Sequence, residues 1–248
     1  MSTGSPTAET LRLYAERRLT LDVGPGEVGT TINYRLMVPE NPPAGQRFPL
    51  VVFLHGAGER GDDNRTQLRY LPEVLARPER RRRYPCFVAA PQCPSGAVWC
   101  TPPAQAAELR RLGGATVASS FVETLVHELG AAEAVDESRI YLTGLSMGGF
   151  GAWHAAAARP DLFAALAVIC GGGNPLTAAK LKSLPIWAVH GALDEIVPVE
   201  RSTQMVAAVR AAGGNPKYTE LPTVGHDSWT PAYEPAFGLL DWMFEQRR

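Results

Sequence analysis

The chain has 248 residues and a formal net charge of −1, with 45% hydrophobic and 20% charged residues. Its length fits one α/β domain with a large core, and its balanced charge indicates neither a nucleic-acid partner nor an anionic membrane surface. No segment has the length and apolar character of a transmembrane helix. The first residues lack the basic and apolar regions of a signal peptide, so we expect a cytoplasmic protein, although a secreted protein with a trimmed signal would read the same.

The predicted elements begin after a flexible tail over residues 1–10, and residues 11–248 form a single domain. Two opening strands cover 17–22 and 31–38, and a Gly-Pro-Gly sequence at 24–26 marks the turn between them. Their partly polar alternation is typical of antiparallel strands at the edge of a sheet.

Strands and helices alternate along the rest of the chain. The predicted strands end at Leu54, Ala90, Leu145, Cys170, His190 and Leu221. The clearest helices cover 116–130, 148–158, 200–212 and 235–246. This alternation predicts an α/β fold with a mostly parallel central sheet and helices on both faces. The interval 171–184 is too short for a large cap domain, so we expect an open site.

The sequence Gly-Leu-Ser-Met-Gly at 144–148 lies between an apolar run and a helical segment. A serine in a strand–turn–helix context of this kind sits in a strained backbone conformation that exposes its hydroxyl. Gly144 and Gly148 allow the strand and the helix to approach closely. The helix N-terminus stabilises negative charge that develops nearby. These features predict that Ser146 is a nucleophile.

A serine nucleophile needs a general base, and the chain offers five histidines. They are His55, His127, His154, His190 and His226. His55 and His127 precede the serine, His154 falls inside the following helix, and His190 ends a strand. Only His226 lies in a late loop, over 223–228 and behind a predicted strand, where a mobile base is expected. We therefore predict His226 as the base, in the chain order nucleophile, acid, base.

The acid that orients the base is expected just after a strand. Asp194 follows the apolar run 186–190 and can reach the imidazole from the side away from the serine. Glu195, its neighbour, is interpreted as a solvated loop charge. Asp227 adjoins the base in sequence and is expected to hold its own loop through backbone hydrogen bonds.

Acyl transfer also needs two backbone donors for an oxyanion. One is predicted to be the N–H of Met147, the residue after the candidate nucleophile. The other is predicted to be the N–H of Ala57, because Gly56 and Gly58 let the loop after a buried strand turn inward. His55 is interpreted as a structural hydrogen-bonding residue that holds this loop.

The remaining special residues suggest no metal and no cofactor. The four cysteines (Cys86, Cys93, Cys100 and Cys170) form no zinc-binding pattern. A disulfide between Cys93 and Cys100 is an alternative if the protein is located in an oxidising compartment. Cys86 and Cys170 are interpreted as buried residues. The arginine run at 80–83 is interpreted as a solvated helix end.

Four separated motifs resemble one group within the α/β-hydrolase superfamily. This group comprises predicted peptidases, feruloyl esterases, polyhydroxybutyrate-depolymerase-like esterases and phospholipase/carboxylesterases. The motifs are LHGAGERGDDN at 54–64, APQCP at 90–94, GLSMGG at 144–149 and GHDSW at 225–229. The resemblance implies serine-dependent hydrolysis of a small-molecule ester without a cofactor, and a site entrance shaped by residues 59–64. The charged residues of that segment are interpreted as a locally salt-bridged loop.

Two tryptophans fall on loops near the predicted site. Trp99 and Trp229 could form an aromatic platform for an aryl or sugar group. The sequence thus predicts a carboxylesterase, with feruloyl or other aryl esters as candidate substrates. A serine peptidase acting on short peptides stays open, as does a non-catalytic binding protein of the same fold.

Overall fold

The computed structural model describes residues 4–21, 31–101, 111, 115–117 and 120–248. Eight strands form its central sheet, in the order β1-β2-β4-β3-β7-β8-β9-β10. The strands are β1 (Tyr14–Thr20), β2 (Thr31–Met37), β3 (Phe48–Leu54), β4 (Phe87–Pro91), β5 (Ala97–Val98), β6 (Ala115–Thr116), β7 (Val135–Leu145), β8 (Ala165–Ile169), β9 (Ile186–Gly191) and β10 (Lys217–Leu221). Strands β5 and β6 pair separately. The β1–β2 and β2–β4 pairs are antiparallel and the others are parallel, which confirms the predicted α/β architecture.

Helices connect the strands. The α-helices are α1 (Ala8–Leu13), α2 (Leu71–Ala76), α3 (Pro78–Arg83), α4 (Phe121–Ala132), α5 (Met147–Ala158), α6 (Glu200–Ala211), α7 (Trp229–Tyr233) and α8 (Leu239–Glu245). Short 3-10 helices cover Ala57–Glu59, Thr66–Leu68, Pro160–Leu162, Pro175–Leu181 and Pro235–Phe237. No described helix is long and apolar enough to cross a membrane.

The core consists of two apolar clusters, one on each face of the sheet. Along β3, Val52 and Leu54 belong to the cluster that includes α4, α5 and α6. Val51 and Phe53, which alternate with them along the strand, belong to the cluster that includes α2 and α8. Successive side chains of a strand point to opposite faces, so a strand buried on both faces reads as a continuous apolar run. The sheet is therefore covered on both sides.

The strand ends define one edge of this sheet. Strands β3, β7, β8 and β9 run parallel, so their carboxyl ends lie together. The segments that follow β3, β7 and β9 carry Ala57, Ser146 and Asp194 respectively. Ligands of open α/β sheets bind at this edge, because the loops after the strands converge there.

The chain start differs from the predicted tail. Helix α1 begins at Ala8, and the Thr7 side chain accepts a hydrogen bond from the Thr10 N–H as its N-cap. The Thr7 N–H donates to Glu73 at 3.1 Å. Residues 7–10 are therefore part of the fold. The Gly-Pro-Gly turn predicted at 24–26 lies outside the described residues.

Two predicted helices have different limits. The helix expected over 116–130 covers Phe121–Ala132, because Ala115–Thr116 pairs with β5 as a strand. The helix expected over 235–246 is interrupted at Gly238, whose φ of 79° is left-handed. A short 3-10 helix precedes this glycine, and α8 follows it.

Candidate active site

Ser146 occupies a strained turn between β7 and α5. Its φ of 52° and ψ of −121° lie outside the regions that ordinary residues favour. A Cβ at Gly144 would lie 2.2 Å from the Gly148 carbonyl oxygen, and one at Gly148 would lie 1.9 Å from the Leu54 carbonyl oxygen. Only glycine permits these approaches, which place β3, β7 and α5 in direct contact. The turn has the geometry predicted for an exposed serine nucleophile.

The structure brings Ser146, His226 and Asp194 together. The His226 Nε2 lies 3.0 Å from the Ser146 Oγ. The His226 Nδ1 lies 2.8 Å from the Asp194 Oδ2. A carboxylate only accepts hydrogen bonds, so Nδ1 carries the proton and Nε2 accepts from the serine hydroxyl. This arrangement has the geometry of a nucleophile, a base and an orienting acid.

The Asp194 side chain is fully buried and held from several sides. Its Oδ1 accepts the backbone N–H groups of Ile196 and Val197, each at 2.9 Å. Burial alone would raise the pKa of Asp194. The hydrogen bonds from His226, Val197 and Ile196 outweigh burial and hold this pKa below its ordinary value. The carboxylate is therefore ionised at neutral pH.

The carboxylates of Glu195 and Asp227, which neighbour Asp194 and His226 in sequence, do not share the environment of Asp194. Glu195 is exposed to solvent, as expected for a loop charge. The Asp227 Oδ1 accepts the Thr230 N–H at 3.1 Å, which holds the loop that carries His226. Asp227 thus makes a local backbone hydrogen bond of the kind that the sequence suggested.

The loops that carry Asp194 and His226 are packed against each other. The Leu193 N–H donates to the Val224 carbonyl at 3.0 Å. A Cβ at Gly191 would lie 2.2 Å from the Gly225 carbonyl oxygen and 2.4 Å from that of Val224. Glycine at 191 therefore allows the contact that brings the acid to the base.

The loop after β3 lies beside the serine. A Cβ at Gly56 would be 3.7 Å from the Ser146 Cβ. Ala57 begins the 3-10 helix that follows, and Met147 begins α5. The first N–H groups of a helix have no partner within it, so both residues are suited to donate to an external oxyanion. Met147 directly follows Ser146 in the chain, and Ala57 directly follows Gly56, the residue that lies close to Ser146.

His55 holds this loop from within the core, as predicted. Its Nδ1–H donates to the Gly56 carbonyl at 2.6 Å, and its Nε2 accepts the Cys93 N–H at 2.9 Å. Burial lowers the pKa of His55 to about 4. The ring is therefore neutral and serves as a fixed hydrogen-bonding bridge between two loops.

Within the predicted salt-bridged segment, Glu59 is the buried charge. Its carboxylate lies 3.5 Å from the Arg69 guanidinium. Burial raises the pKa of Glu59, and the Arg69 charge opposes this increase. Asp63 instead accepts hydrogen bonds from Thr66 and Gln92. The segment is therefore held by local contacts, and part of it faces the core.

Trp99 does not lie on an open surface, which corrects its predicted role in substrate binding. It is 4% exposed, and its indole N–H donates to the His55 carbonyl at 3.0 Å. A Cβ at Gly151 would lie 2.5 Å from the Trp99 Cβ. The loop that carries Trp99 folds back onto α5, and the indole anchors it. A tryptophan in a loop sequence gives no indication of this packing.

Trp229 lies beside the candidate base, as the sequence predicts. Its ring centroid is 5.3 Å from that of His226, with an edge-to-face orientation. Tyr70 packs against the Trp229 ring, and the two ring centroids are 5.3 Å apart. Both Trp229 and Tyr70 are partly exposed.

Tyr70 lies beside the candidate site through its contact with Trp229, and no sequence pattern predicted this position. Its φ of 66° is unusual for a residue with a bulky side chain. Burial raises its pKa, and the Glu59 charge adds to the effect. No local motif marks Tyr70, because its contact with Trp229 joins distant parts of the chain. Backbone strain at such a position is a common feature of functional sites.

One group of described residues has the composition of a metal site. Ligand atoms of Cys170, Asp194 and His226 all lie within 4.8 Å of one another. Burial raises the pKa of the Cys170 thiol to about 12, whereas a metal needs the thiolate. The Asp194 and His226 atoms also hydrogen-bond to each other. These residues therefore fit a hydrogen-bonded site better than a metal centre. All four cysteines are free, so Cys93 and Cys100 form no disulfide.

The eight-stranded sheet and the strained serine turn define an α/β-hydrolase, the predicted class of protein. A family model for phospholipase/carboxylesterase matches residues 111–236, just over half of the chain. The chain therefore belongs to the phospholipase/carboxylesterase family. This membership confirms the resemblance that the motifs indicated.

Individual relatives agree with this assignment. A solved structure described as a thermostable esterase is 36% identical over 96% of this chain, with a TM-score of 0.81. The "Probable feruloyl esterase C" of Aspergillus niger is 23% identical over 79% of this chain. The acetylxylan esterase/xylanase XynS20E of Neocallimastix patriciarum is 32% identical over 32% of it. Each of these three proteins is described as an esterase.

The chain covers only part of these proteins. It spans 12% to 67% of the lengths of the curated relatives that it matches. It covers 64% of the thermostable esterase. The fold is also shared with a Pyrococcus horikoshii acylaminoacyl peptidase, at 16% identity and a TM-score of 0.67.

Proposed function

We propose that the protein is a serine carboxylesterase that works through Ser146, His226 and Asp194. The observation that carries the proposal is the hydrogen-bonded series from the Ser146 Oγ through His226 to Asp194, with distances of 3.0 and 2.8 Å. It starts at a serine in a strained turn and ends at a buried, ionised carboxylate. Acyl transfer by a serine needs a nucleophile, a base and an orienting acid in this order.

The reaction follows from this geometry. The Ser146 Oγ attacks the ester carbonyl carbon while the His226 Nε2 takes the hydroxyl proton. The carbonyl oxygen becomes an oxyanion, which the N–H groups of Ala57 and Met147 bind. The imidazolium then gives its proton to the departing alcohol, and an acyl-enzyme remains on Ser146. In the second half, His226 activates water, and the acid is released.

Asp194 has two roles in this scheme. It holds the proton on the His226 Nδ1, so that Nε2 faces the serine with a lone pair. It also stabilises the imidazolium that forms during each half of the reaction. The backbone N–H groups of Ile196 and Val197 fix its other oxygen, so the carboxylate cannot rotate away from His226.

The finer substrate proposal is an ester with an aryl group. Trp229 and Tyr70 present two partly exposed rings next to His226. Aromatic rings prefer edge-to-face or offset contacts with one another, and a cinnamoyl-type acyl group can add to such a pair. The name of the Aspergillus niger relative is consistent with this class. Trp99 is not included, because it is buried.

Parallel assays on p-nitrophenyl acetate and on peptide anilides test the reaction type. We expect turnover of the ester and little or none of the anilides, because an amine is a poor leaving group. Methyl ferulate and p-nitrophenyl esters of increasing chain length then define the acyl preference. EDTA is expected to leave the activity unchanged. Faster turnover of the anilides would favour the peptidase, and absence of turnover on all substrates would favour a binding protein.

A further inference from the structure

The Glu59 carboxylate, which the proposed reaction does not use, lies against the loop that follows β3. Glu59 is 4% exposed. Its Oε2 would lie 3.2 Å from a Cβ at Gly56, and the same Cβ would lie 3.7 Å from the Ser146 Cβ. A buried carboxylate therefore packs against the loop residue that approaches the candidate nucleophile. Burial of a carboxylate is unfavourable unless the group is paired and hydrogen-bonded, so its partners indicate what it does there.

The position of Glu59 in its 3-10 helix determines which backbone group it holds. Gly56 is the N-cap of this helix, and Glu59 is the third residue within it. In a capping box, a glutamate at this position accepts the N–H of the N-cap residue. The Gly56 N–H makes this hydrogen bond to the Glu59 carboxylate. The start of the loop is therefore held by a side chain of the same turn.

Capping at Gly56 also orients the neighbouring Ala57 N–H, the predicted oxyanion donor. The Gly56 carbonyl accepts from the buried His55 ring at 2.6 Å. Gly56 is thus held at both its N–H and its carbonyl group. The Gly56 carbonyl and the Ala57 N–H belong to one planar peptide group, so fixing the carbonyl also fixes the direction of the N–H.

The other partners of Glu59 belong to the aromatic side of the candidate site. Its Oε1 lies 3.5 Å from the Arg69 guanidinium, and the Tyr70 hydroxyl also donates to the carboxylate. The guanidinium lies over the Tyr70 ring, 5.0 Å from its centroid. Tyr70 in turn packs against Trp229, which contacts His226. One carboxylate thus joins the loop after β3 to the rings beside the candidate base.

All of these partners are hydrogen-bond donors, which favours an ionised carboxylate at this position. Burial raises the pKa of Glu59, whereas the Arg69 charge, the Gly56 N–H and the Tyr70 hydroxyl act in the opposite direction. A side-chain amide has one acceptor oxygen and one donor nitrogen. Its NH2 group would face either the Gly56 N–H or the Arg69 guanidinium. Only a group with two acceptor oxygens satisfies both sides.

We propose that Glu59 is a positioning residue that holds the Ala57 N–H in place beside Ser146 and couples this loop to the Tyr70 ring. The proposal rests on the proposed function, because Ala57 contributes only if an oxyanion forms next to it. The oxyanion is present in the transition state and absent from the bound ester. A displaced donor therefore lowers kcat more than it raises KM.

The variant Glu59→Gln keeps the shape of the side chain and removes its charge and one acceptor. Loss of a whole oxyanion donor costs about 10²–10³-fold in kcat, so a displaced donor should cost about 10- to 100-fold, with KM changed less than about threefold. Asp62→Asn, which changes an exposed carboxylate of the same segment, is the matched control and should leave both constants unchanged. An unchanged kcat in Glu59→Gln, or a loss confined to KM, would overturn the proposal.

A trifluoromethyl ketone separates a displaced donor from a general loss of substrate binding. Its adduct with a serine carries an oxyanion, so its affinity for Glu59→Gln should fall by the same factor as kcat/KM. The thermal melt of each variant is the control for folding. Wild-type affinity for the ketone, together with a lowered melting temperature, would make Glu59 a residue that serves stability alone and would overturn the proposal.

Hydrogen exchange of the Gly56 amide tests the hold on the loop without any substrate. In NMR of the free protein, this amide should exchange faster in Glu59→Gln than in the wild type, and at the wild-type rate in Asp62→Asn. If Glu59→Gln does not fold, Glu59→Asp keeps the charge but withdraws it by one methylene, and should give the same exchange and kcat effects. Equal exchange in the wild type and the folded variant would overturn the proposal. Absence of ester turnover by the wild type would instead contradict the proposed function.

Discussion

At the scale of single residues, the two adjacent carboxylates Asp194 and Glu195 differ completely in environment. The Asp194 side chain is fully buried and accepts from His226, whereas Glu195 faces solvent. Orientation of an imidazole requires a fixed carboxylate, and an exposed side chain on a loop does not provide one. The first two predictions concern single side chains at this site.

Asp194→Asn is expected to lower kcat about 10⁴-fold, because an amide holds the wrong tautomer of the base. Glu195→Gln is the matched control and should change kcat less than about threefold, as is typical of solvated surface charges. Steady-state kinetics on p-nitrophenyl acetate measure both. The reverse order of effects would make Glu195 the acid.

Trp229→Ala is expected to raise KM for methyl ferulate more than for an acetyl ester. An aryl group loses about 1 kcal/mol of ring contact, about fivefold in KM, that an acetyl group never makes. Trp99→Phe is the control, since Trp99 is buried away from solvent and should not change the ratio of the two KM values. An equal loss on both esters, together with a lower melting temperature, would make Trp229 a loop anchor only.

At the scale of elements, the site depends on close contacts between turns. Glycines allow the turn after β7 to contact β3, and they allow the loops that carry Asp194 and His226 to contact each other. A side chain at these glycines would collide with backbone atoms. Backbone cannot move aside as a flexible side chain can. The geometry of the site is therefore set by the packing of the loops as well as by the side chains of Ser146, Asp194 and His226.

Gly191→Ala tests this dependence. Its added methyl would lie 2.2 Å from the Gly225 carbonyl oxygen, so we expect a loss of about 1–3 kcal/mol in the free energy of unfolding and a clear loss of kcat/KM. Gly225→Ala is the matched control, because its nearest contact is an ordinary 3.5 Å. Chemical denaturation and ester kinetics measure both effects. Equal changes in the free energy of unfolding and in kcat/KM for the two variants would show that the close contact at Gly191 does not hold the loops together.

Much of the sheet could be predicted because its central strands β3, β4 and β8 are buried apolar runs. The predicted ends at Leu54, Leu145 and Leu221 match the structure, and the serine turn follows from local spacing. The features that differ are non-local. Strand β6 replaces a helix start because it pairs with β5, and the Tyr70–Trp229 contact joins distant segments. A single sequence gives no signal for such pairings.

The same distinction applies to the site. Ser146, Asp194 and His226 each follow a predicted strand, so topology alone brings them to one edge of the sheet. Trp99 also lies in a loop, but its loop folds inward, which no local pattern indicates. The close position of His190 beside Asp194 follows from the turn after β9, and the contact between them is a distance that only the structure provides.

At the scale of the whole molecule, stability against acid depends on buried or bonded carboxylates. Burial raises the pKa of Asp63, but hydrogen bonds from Thr66, Arg65 and Gln92 outweigh it and lower the pKa to about 2. A depressed pKa contributes stability that is present above about pH 4 and is lost as the pH falls toward 2. Asp63 links the segment after β3 to Gln92, which follows β4.

Asp63→Asn should therefore weaken the dependence of stability on pH. Between pH 4 and 2, the free energy of unfolding should fall less steeply in the variant than in the wild type. Asp62→Asn, which changes the neighbouring exposed carboxylate, is the control and should follow the wild-type curve. Denaturant unfolding at several pH values measures the slopes. Parallel curves for Asp63→Asn and the wild type would contradict this assignment.

The most direct test of the central claim is covalent labelling of Ser146. A fluorophosphonate should modify this serine stoichiometrically, with the site mapped by mass spectrometry, and should abolish ester hydrolysis. Ser146→Ala should take up no label and should lose about 10⁶-fold in kcat, with an unchanged melting temperature. Labelling of another residue, or esterase activity retained by purified Ser146→Ala, would contradict the proposed function.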